Sequence, residues 1–214
     1  MTNKELALKY PVLYHVAEAG SWPSIQKHGL LSTTALLKLF ECSGDRRAEI
    51  ESSWRPGPVT ISHPRHGTAV IRDQIPMPEA QLQECLVAMT PRQWYELINR
   101  KVFFWAREWD LHSFLRAYRD RSHCVITLST DALLNSQRER ITLCRINSGS
   151  VRGMESRGRD TFKLIGDYSL SPSSVREVAV EYSVPEIWKL EPRVVEMQRN
   201  RELRVIWERR ITDG

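Results

Sequence analysis

The sequence predicts an α+β fold in one domain spanning residues 1–214, on three observations. Segments with helical spacing gather in the first half of the chain and strand-like segments in the second. No regular βαβ alternation runs through the sequence, and no GxGxxG glycine fingerprint follows a strand, which argues against a dinucleotide-binding parallel sheet.

Taken in order, residues 10–17 read as a strand entered from Pro11, with Leu13, His15 and Ala17 on one face and Tyr14 and Val16 on the other. Ser21 offers an N-cap before Trp22 and Pro23, so a short helix should run to Lys27 and stop at Gly29. Residues 35–50 have helical spacing through Leu36, Leu37, Leu39 and Phe40. Pro56, Pro58 and Pro64 then forbid a long helix, leaving a loop with one short strand at 59–62 and an edge strand at 69–72. Residues 79–88 and 91–99 are helical, the second opening on a Thr90 cap and Pro91. Lys101 to Trp105 is aromatic and β-branched and reads as a strand, followed by a helix at 110–119. Strands are expected at 124–129, 141–146 and 177–182. A last one fits 203–207, where 198–208 also suits a helix.

The 214 residues suffice for a substantial core, and 41% hydrophobic with 27% charged residues is the composition of a globular chain. No apolar run reaches the length of a membrane span, and residues 1–5 lack the pattern of a signal peptide, so a cytoplasmic location without a membrane partner is expected. Cys42, Cys85, Cys124 and Cys144 lie far apart with no CxxC pair, which favours reduced thiols over a zinc knuckle. Lys and Arg number 31 against 26 Asp and Glu, for a net charge of +5. Residues 138–163 are the most basic stretch, and guanidinium groups clustered there suit phosphates as well as they suit a solvated face.

Several residues carry potential chemistry. His15, between bulky apolar neighbours, either bonds a ligand hydroxyl or serves as a core histidine bonded to a carbonyl. Glu177 opens a strand on whose face Glu181 also lies; alternation does not rank the two as proton acceptors, and a solvated acidic face fits equally. Arg107 follows the aromatic strand, placed to grip a phosphate or to pair with Glu108 or Asp110. Phe103, Phe104, Trp105 and Trp109 suit either stacking on a base or a core. The turns at 147–150 and 157–162 could line a pocket. HExxH, GxSxG and P-loop signatures are absent, and His63 and His66 lack a third ligand, so no metal is expected.

Three islands carry a resemblance: Leu13 to Leu31, with Tyr14, His15, Trp22, Ile25 and Gly29; Phe103 to Arg107; and Glu177 to Val180 running on to Val184 and Pro185. In this order they are similar to ADP-ribosyltransferases of the DarT type and to the wider group that includes RNA 2'-phosphotransferases and poly-ADP-ribose polymerases. The chain also resembles an uncharacterised bacterial domain family on the segment 20–37, the strand at 102–105 and the turn at 147–150. The segment after Arg107 departs from the DarT pattern in lacking a proline-rich continuation.

The resemblance implies an ADP-ribosyltransferase-like split antiparallel β-sheet with NAD in its cleft, and a mono-ADP-ribosyltransferase, a toxin or defence effector modifying DNA or RNA. Glu177 and Arg107 would be catalytic. His15, Tyr14, Phe104, Gly29 and Ser32 would bind NAD, and Asn147, Arg157, Arg159 and Ser173 the acceptor. An antitoxin or regulator would be a partner. The competing readings are a non-catalytic nucleotide or nucleic-acid binding module and an RNA 2'-phosphotransferase relative.

Overall fold

The computed structural model describes residues 1–208; the end of the expected domain, residues 209–214, lies outside them. The described chain is α+β, with eight α-helices and a large antiparallel sheet, and all helices but one precede residue 118. No described helix is long and apolar enough to cross a membrane.

The first half runs α1 (Asn3–Lys9), β1 (Val12–Glu18), α2 (Trp22–His28), β2 (Leu30–Leu31), α3 (Thr33–Leu39), α4 (Gly44–Ser52), β3 (Val59–His63), β4 (Gly67–Ile71), α5 (Glu79–Cys85), α6 (Pro91–Asn99) and β5 (Lys101–Trp105). The rest is α7 (Glu108–Ala117), β6 (Ser122–Ser129), α8 (Thr130–Gln137), β7 (Ile141–Cys144), β8 (Lys163–Leu164), β9 (Glu177–Glu181), β10 (Ser183–Val184), β11 (Arg193–Gln198) and β12 (Arg201–Trp207).

Local chemistry explains the boundaries. The Thr90 hydroxyl accepts from the Gln93 N–H while the Gln93 side chain accepts from the Thr90 N–H, a reciprocal cap that starts α6 where the sequence places it. The helix expected over 35–50 is two helices. Glu41 turns left-handed at φ 55°, and Ser43 and Gly44 restart the chain as α4. Helix α1, whose Thr2–Glu5 box is also reciprocal, and helix α8, capped by Ser129, are additions to the sequence-based assignment. So is β11. Residues 201–207 form a strand and not a helix.

The main sheet has the order β12-β11-β6-β1-β5-β9-β7-β8, with every pairing antiparallel. Strand β1 pairs with β6 along its whole length, and β5 pairs with β9 along its own. Between β1 and β5, the two central strands, only Tyr14 and Trp105 face each other in register. The sheet is therefore two four-stranded halves joined at one point.

One face of the sheet, with Leu13, Phe104, Ile126, Val178 and Val194, buries the largest apolar cluster under α1, α2 and α8. The opposite face packs α7 over Val125 and Val195, and packs α5 and α6 over Cys144 and Ala179. A satellite core under the β3–β4 hairpin holds Leu37, Phe40, Ile50 and Ile61.

Two of the sequence islands meet at Gly29. Its φ is +82°, a value L-residues resist, and a Cβ there would lie 2.9 Å from the Val184 carbonyl oxygen and 3.0 Å from Pro185 Cα. Immediately beyond, Leu30 pairs with Val184 and Leu31 with Ser183, and the Ser32 N–H donates to the Tyr182 carbonyl at 2.9 Å. Gly29→Ala should therefore destabilise the fold by about 1–3 kcal/mol, from the left-handed backbone and the backbone clash together. Denaturant unfolding checks this; an unchanged midpoint would refute the packing argument.

Candidate functional site

Beyond the Tyr14–Trp105 register, β1 and β5 make no further ladder pairs, and a cleft of about 450 Å³ opens beside them. Its walls are the C-terminal part of β1 with the loop that follows, residues 28–33, residues 68–71 of β4 with Arg72 just beyond, and Lys101, Phe103 and Trp105 of β5. His15 stands at the point of divergence. Its Nδ1 lies 2.7 Å from the Phe103 carbonyl oxygen, across the gap between the strands. A carbonyl can only accept, so Nδ1 carries the proton. Burial holds the imidazole pKa down to about 4, against a smaller opposing effect of the Phe103 bond, so the ring is neutral at pH 7 and Nε2 is a bare acceptor. The ring leans on Phe104 at 5.6 Å between centroids.

Gly29 and Ser32 line the same cleft. The Ser32 Oγ is already engaged, accepting from the Ala35 N–H as the cap of α3. Phe104 is fully buried beneath His15 and forms core, while Tyr14 points to the opposite face and packs with the α7 cluster. Of the five residues expected to bind NAD, three thus border the cleft, and Tyr14 and Phe104 support it from behind.

The sequence reading did not identify Arg72, Glu18 or His123, which gather beside this cleft. Arg72 Nη2 donates to the Ala17 carbonyl at 3.1 Å and lies 3.0 Å from His123 Nδ1, and its guanidinium sits over the Phe114 ring at 4.9 Å. Arg72 and Glu18 both line the cleft. Arg72 Nη1, Glu18 Oε2 and His123 Nε2 are buried without a partner, while Glu18 Oε1 accepts from Arg121 at 3.1 Å. Burial and the Arg72 charge lower the His123 pKa to about 4. Nothing local in the sequence marks these residues, because the end of β1, the residue after β4 and the start of β6 bring them together from distant segments.

Glu177 and Arg107 do not line the cleft. In the order across the sheet, Tyr14, Trp105, Glu177 and Cys144 occupy one row, so the cleft-lining Trp105 is the neighbour of Glu177 on β5. Glu177 is 2% exposed; Oε1 accepts from the Ser148 N–H at 3.1 Å, and Oε2 is buried without a partner. Burial raises its pKa to about 7, the bonds from Ser148 opposing. Arg107 Nε donates to Asp110 Oδ2 at 2.7 Å, and Arg176 Nε donates to Asp110 Oδ1 at 2.9 Å, so a buried aspartate fixes both cations. Glu181, at the other end of β9, takes bonds from Lys101 Nζ at 2.8 Å and Arg100 Nε at 3.0 Å. Burial alone would raise its pKa, but these two cations prevail and lower it. Lys101 lines the cleft, so Glu181 is tied to it through that lysine.

The residues expected to meet the acceptor are dispersed. Asn147 Oδ1 accepts from the Gly149 N–H in a turn, next to the Ser148 that holds Glu177. Arg157 is buried and Arg159 exposed, both bordering a second cavity, and Ser173 is exposed in a short helical turn.

The Glu177 arrangement has a pH signature. Its pKa is higher in the folded chain than the ordinary 4.5, so the folded state binds the extra proton, and the contribution is favourable below about pH 4.5 and lost as pH rises through about 7. Glu177→Gln should therefore raise the melting temperature relative to the wild type more at pH 8 than at pH 5. An equal difference at both pH values would show that the carboxyl is not held protonated.

No curated protein matches the chain. A family model described as "Family of unknown function (DUF7002)" matches residues 11–190, a span that includes β1, β5 and β9, the cleft between β1 and β5, and the Gly29–Val184 contact. With most of its length matched, the chain belongs to the DUF7002 family.

Proposed function

We propose that the chain is an NAD-dependent mono-ADP-ribosyltransferase whose donor site is the cleft between β1 and β5. The observation that carries this reading is His15, neutral and anchored through Nδ1 to Phe103, which turns Nε2 into an acceptor for a ribose hydroxyl at the point where the sheet opens. Phe103 and Trp105 offer flat apolar walls for nicotinamide. Breaking the nicotinamide–ribose bond develops positive charge on the sugar, which a carboxylate stabilises. Glu177 is assigned that role, because its partnerless Oε2 and raised proton affinity suit a group that also accepts a proton from the attacking nucleophile. In this reading Trp105, which lines the cleft and neighbours Glu177 across the β5–β9 register, has to move aside for the carboxyl to reach the ribose. Nucleic acid is the acceptor in this proposal, and an antitoxin a partner.

That Glu177 and Arg107 stand outside the cleft lining favours a second reading, a nucleotide-binding module without chemistry. Incubation with radiolabelled NAD and separate pools of DNA, RNA and protein separates the two. The transferase releases nicotinamide and labels one pool; the module binds NAD and does neither. For the transferase, His15→Ala should weaken NAD binding about tenfold, and Glu177→Gln should slow nicotinamide release by about 10²–10³ with binding retained. Wild-type release rates in the Glu177→Gln protein would remove that residue from the mechanism and turn attention to Glu18 and Glu181.

A further inference from the structure

A second cavity of about 610 Å³ lies on the far side of β7 from the cleft, between residues 87–88, the segment 156–163 and residues 167–170. The backbone that forms it is tied down. The Val87 N–H donates to the Arg157 carbonyl and the Arg157 N–H to the Cys85 carbonyl, both at 2.9 Å. A Cβ on Gly158 would lie 2.7 Å from the Val87 carbonyl oxygen, so only glycine lets the two segments approach this closely.

The charges here are unbalanced in a specific way. Arg157 is 1% exposed, with its guanidinium over the Trp94 ring at 5.6 Å. Its Nε, Nη1 and Nη2 donate to the carbonyls of Glu155, Ser148 and Ser150. Burial lowers its pKa against the opposing pull of Glu155 and Glu177, and among the described residues no carboxylate bonds it directly. Arg157 lines the cavity, so its charge contributes to the positive potential there. Arg145 and Arg159, both exposed and without a hydrogen-bond or ion-pair partner among the described residues, stand on the rim. Of the other charged lining groups, Lys163 pairs with Asp160 at 3.1 Å, leaving Asp167 as the remaining acid. Beside these cations the cavity presents apolar surface, with Val87 59% and Leu170 48% exposed.

We propose that this cavity binds a phosphate ester carrying a flat organic group, the chemistry of a nucleotide, with the phosphate between Arg145 and Arg159 and the organic part on Val87 and Leu170. The guanidinium fork matches phosphate oxygens in pairs, and an exposed apolar shelf next to it suits a base more than it suits a free inorganic anion. The inference does not rest on the assignment of the cleft.

Titration calorimetry with 5'-AMP, inorganic phosphate and adenosine tests it. 5'-AMP should bind more tightly than either fragment, and added salt should weaken it. The double variant Arg145→Glu, Arg159→Glu changes exposed side chains only, and should weaken 5'-AMP about tenfold or more; Leu170→Ser should weaken 5'-AMP and leave inorganic phosphate unchanged. His15→Ala, which alters the cleft, should leave this site intact, so failure of the transferase reading does not touch the result. A short single-stranded oligonucleotide that displaces 5'-AMP and is sensitive to the double variant identifies a chain-borne nucleotide as the source; displacement by free nucleotides alone identifies a diffusible one. No 5'-AMP binding at millimolar concentration, binding unchanged in the double variant, or binding lost wholly with His15→Ala would each overturn the proposal.

Discussion

The bond between His15 Nδ1 and the Phe103 carbonyl holds together what the backbone leaves open. Central strands of a sheet ordinarily satisfy each other's N–H and C=O groups along their length, and buried groups left unmatched are costly. Here β1 and β5 match at one register only. A side chain takes over one of the missing contacts, so the two half-sheets can part without leaving the Phe103 carbonyl bare. The bond needs a proton on Nδ1, and burial, against the pull of the bond itself, makes it the only proton on the ring nitrogens. Separation of the strands, the tautomer of the histidine and the acceptor it presents are thus one arrangement seen from three sides.

Around this opening the protein places its polar groups at two depths. Arg72, Glu18 and His123 have atoms facing no partner at the cleft's edge, whereas Glu177, Asp110, Arg107 and Arg176 form a denser knot behind Trp105. The two differ in electrostatic character. Asp110 is flanked by two arginines, while Glu177 is bonded by Ser148 and by no cation and keeps its proton to near neutrality. A carboxyl in that condition responds strongly to any change in its surroundings, because admitting a cation or water would tip it to the ionised form.

Much of this was legible in the chain. Caps and stops are local, so Thr90–Pro91 marks the start of α6 and Pro23 and Gly29 bound α2, although the expected Ser21 cap makes no side-chain bond. The aromatic strand and the strand opening on Glu177 also stood where composition placed them. What escaped was of two kinds. Short elements such as α1, α8 and the two-residue strands are too brief for periodicity to declare them, and the break at Glu41 depends on a backbone angle that the helical spacing of its neighbours conceals. The second kind is tertiary: that Glu177 is sealed, that Arg157 is consumed by three carbonyls, and that Arg72 reaches His123 are outcomes of distant segments meeting.

The contact of Gly29 with Val184 and Pro185 joins segments separated by most of the chain. Such a long loop closes late, since its entropy must be surrendered before the contact rewards it. During synthesis, β1 and α2 emerge well before β9 and β10 exist to complete the wall behind residues 29–32. A nascent chain therefore has no finished cleft: the wall behind residues 29–32 can close only after residues 183–185 have left the ribosome.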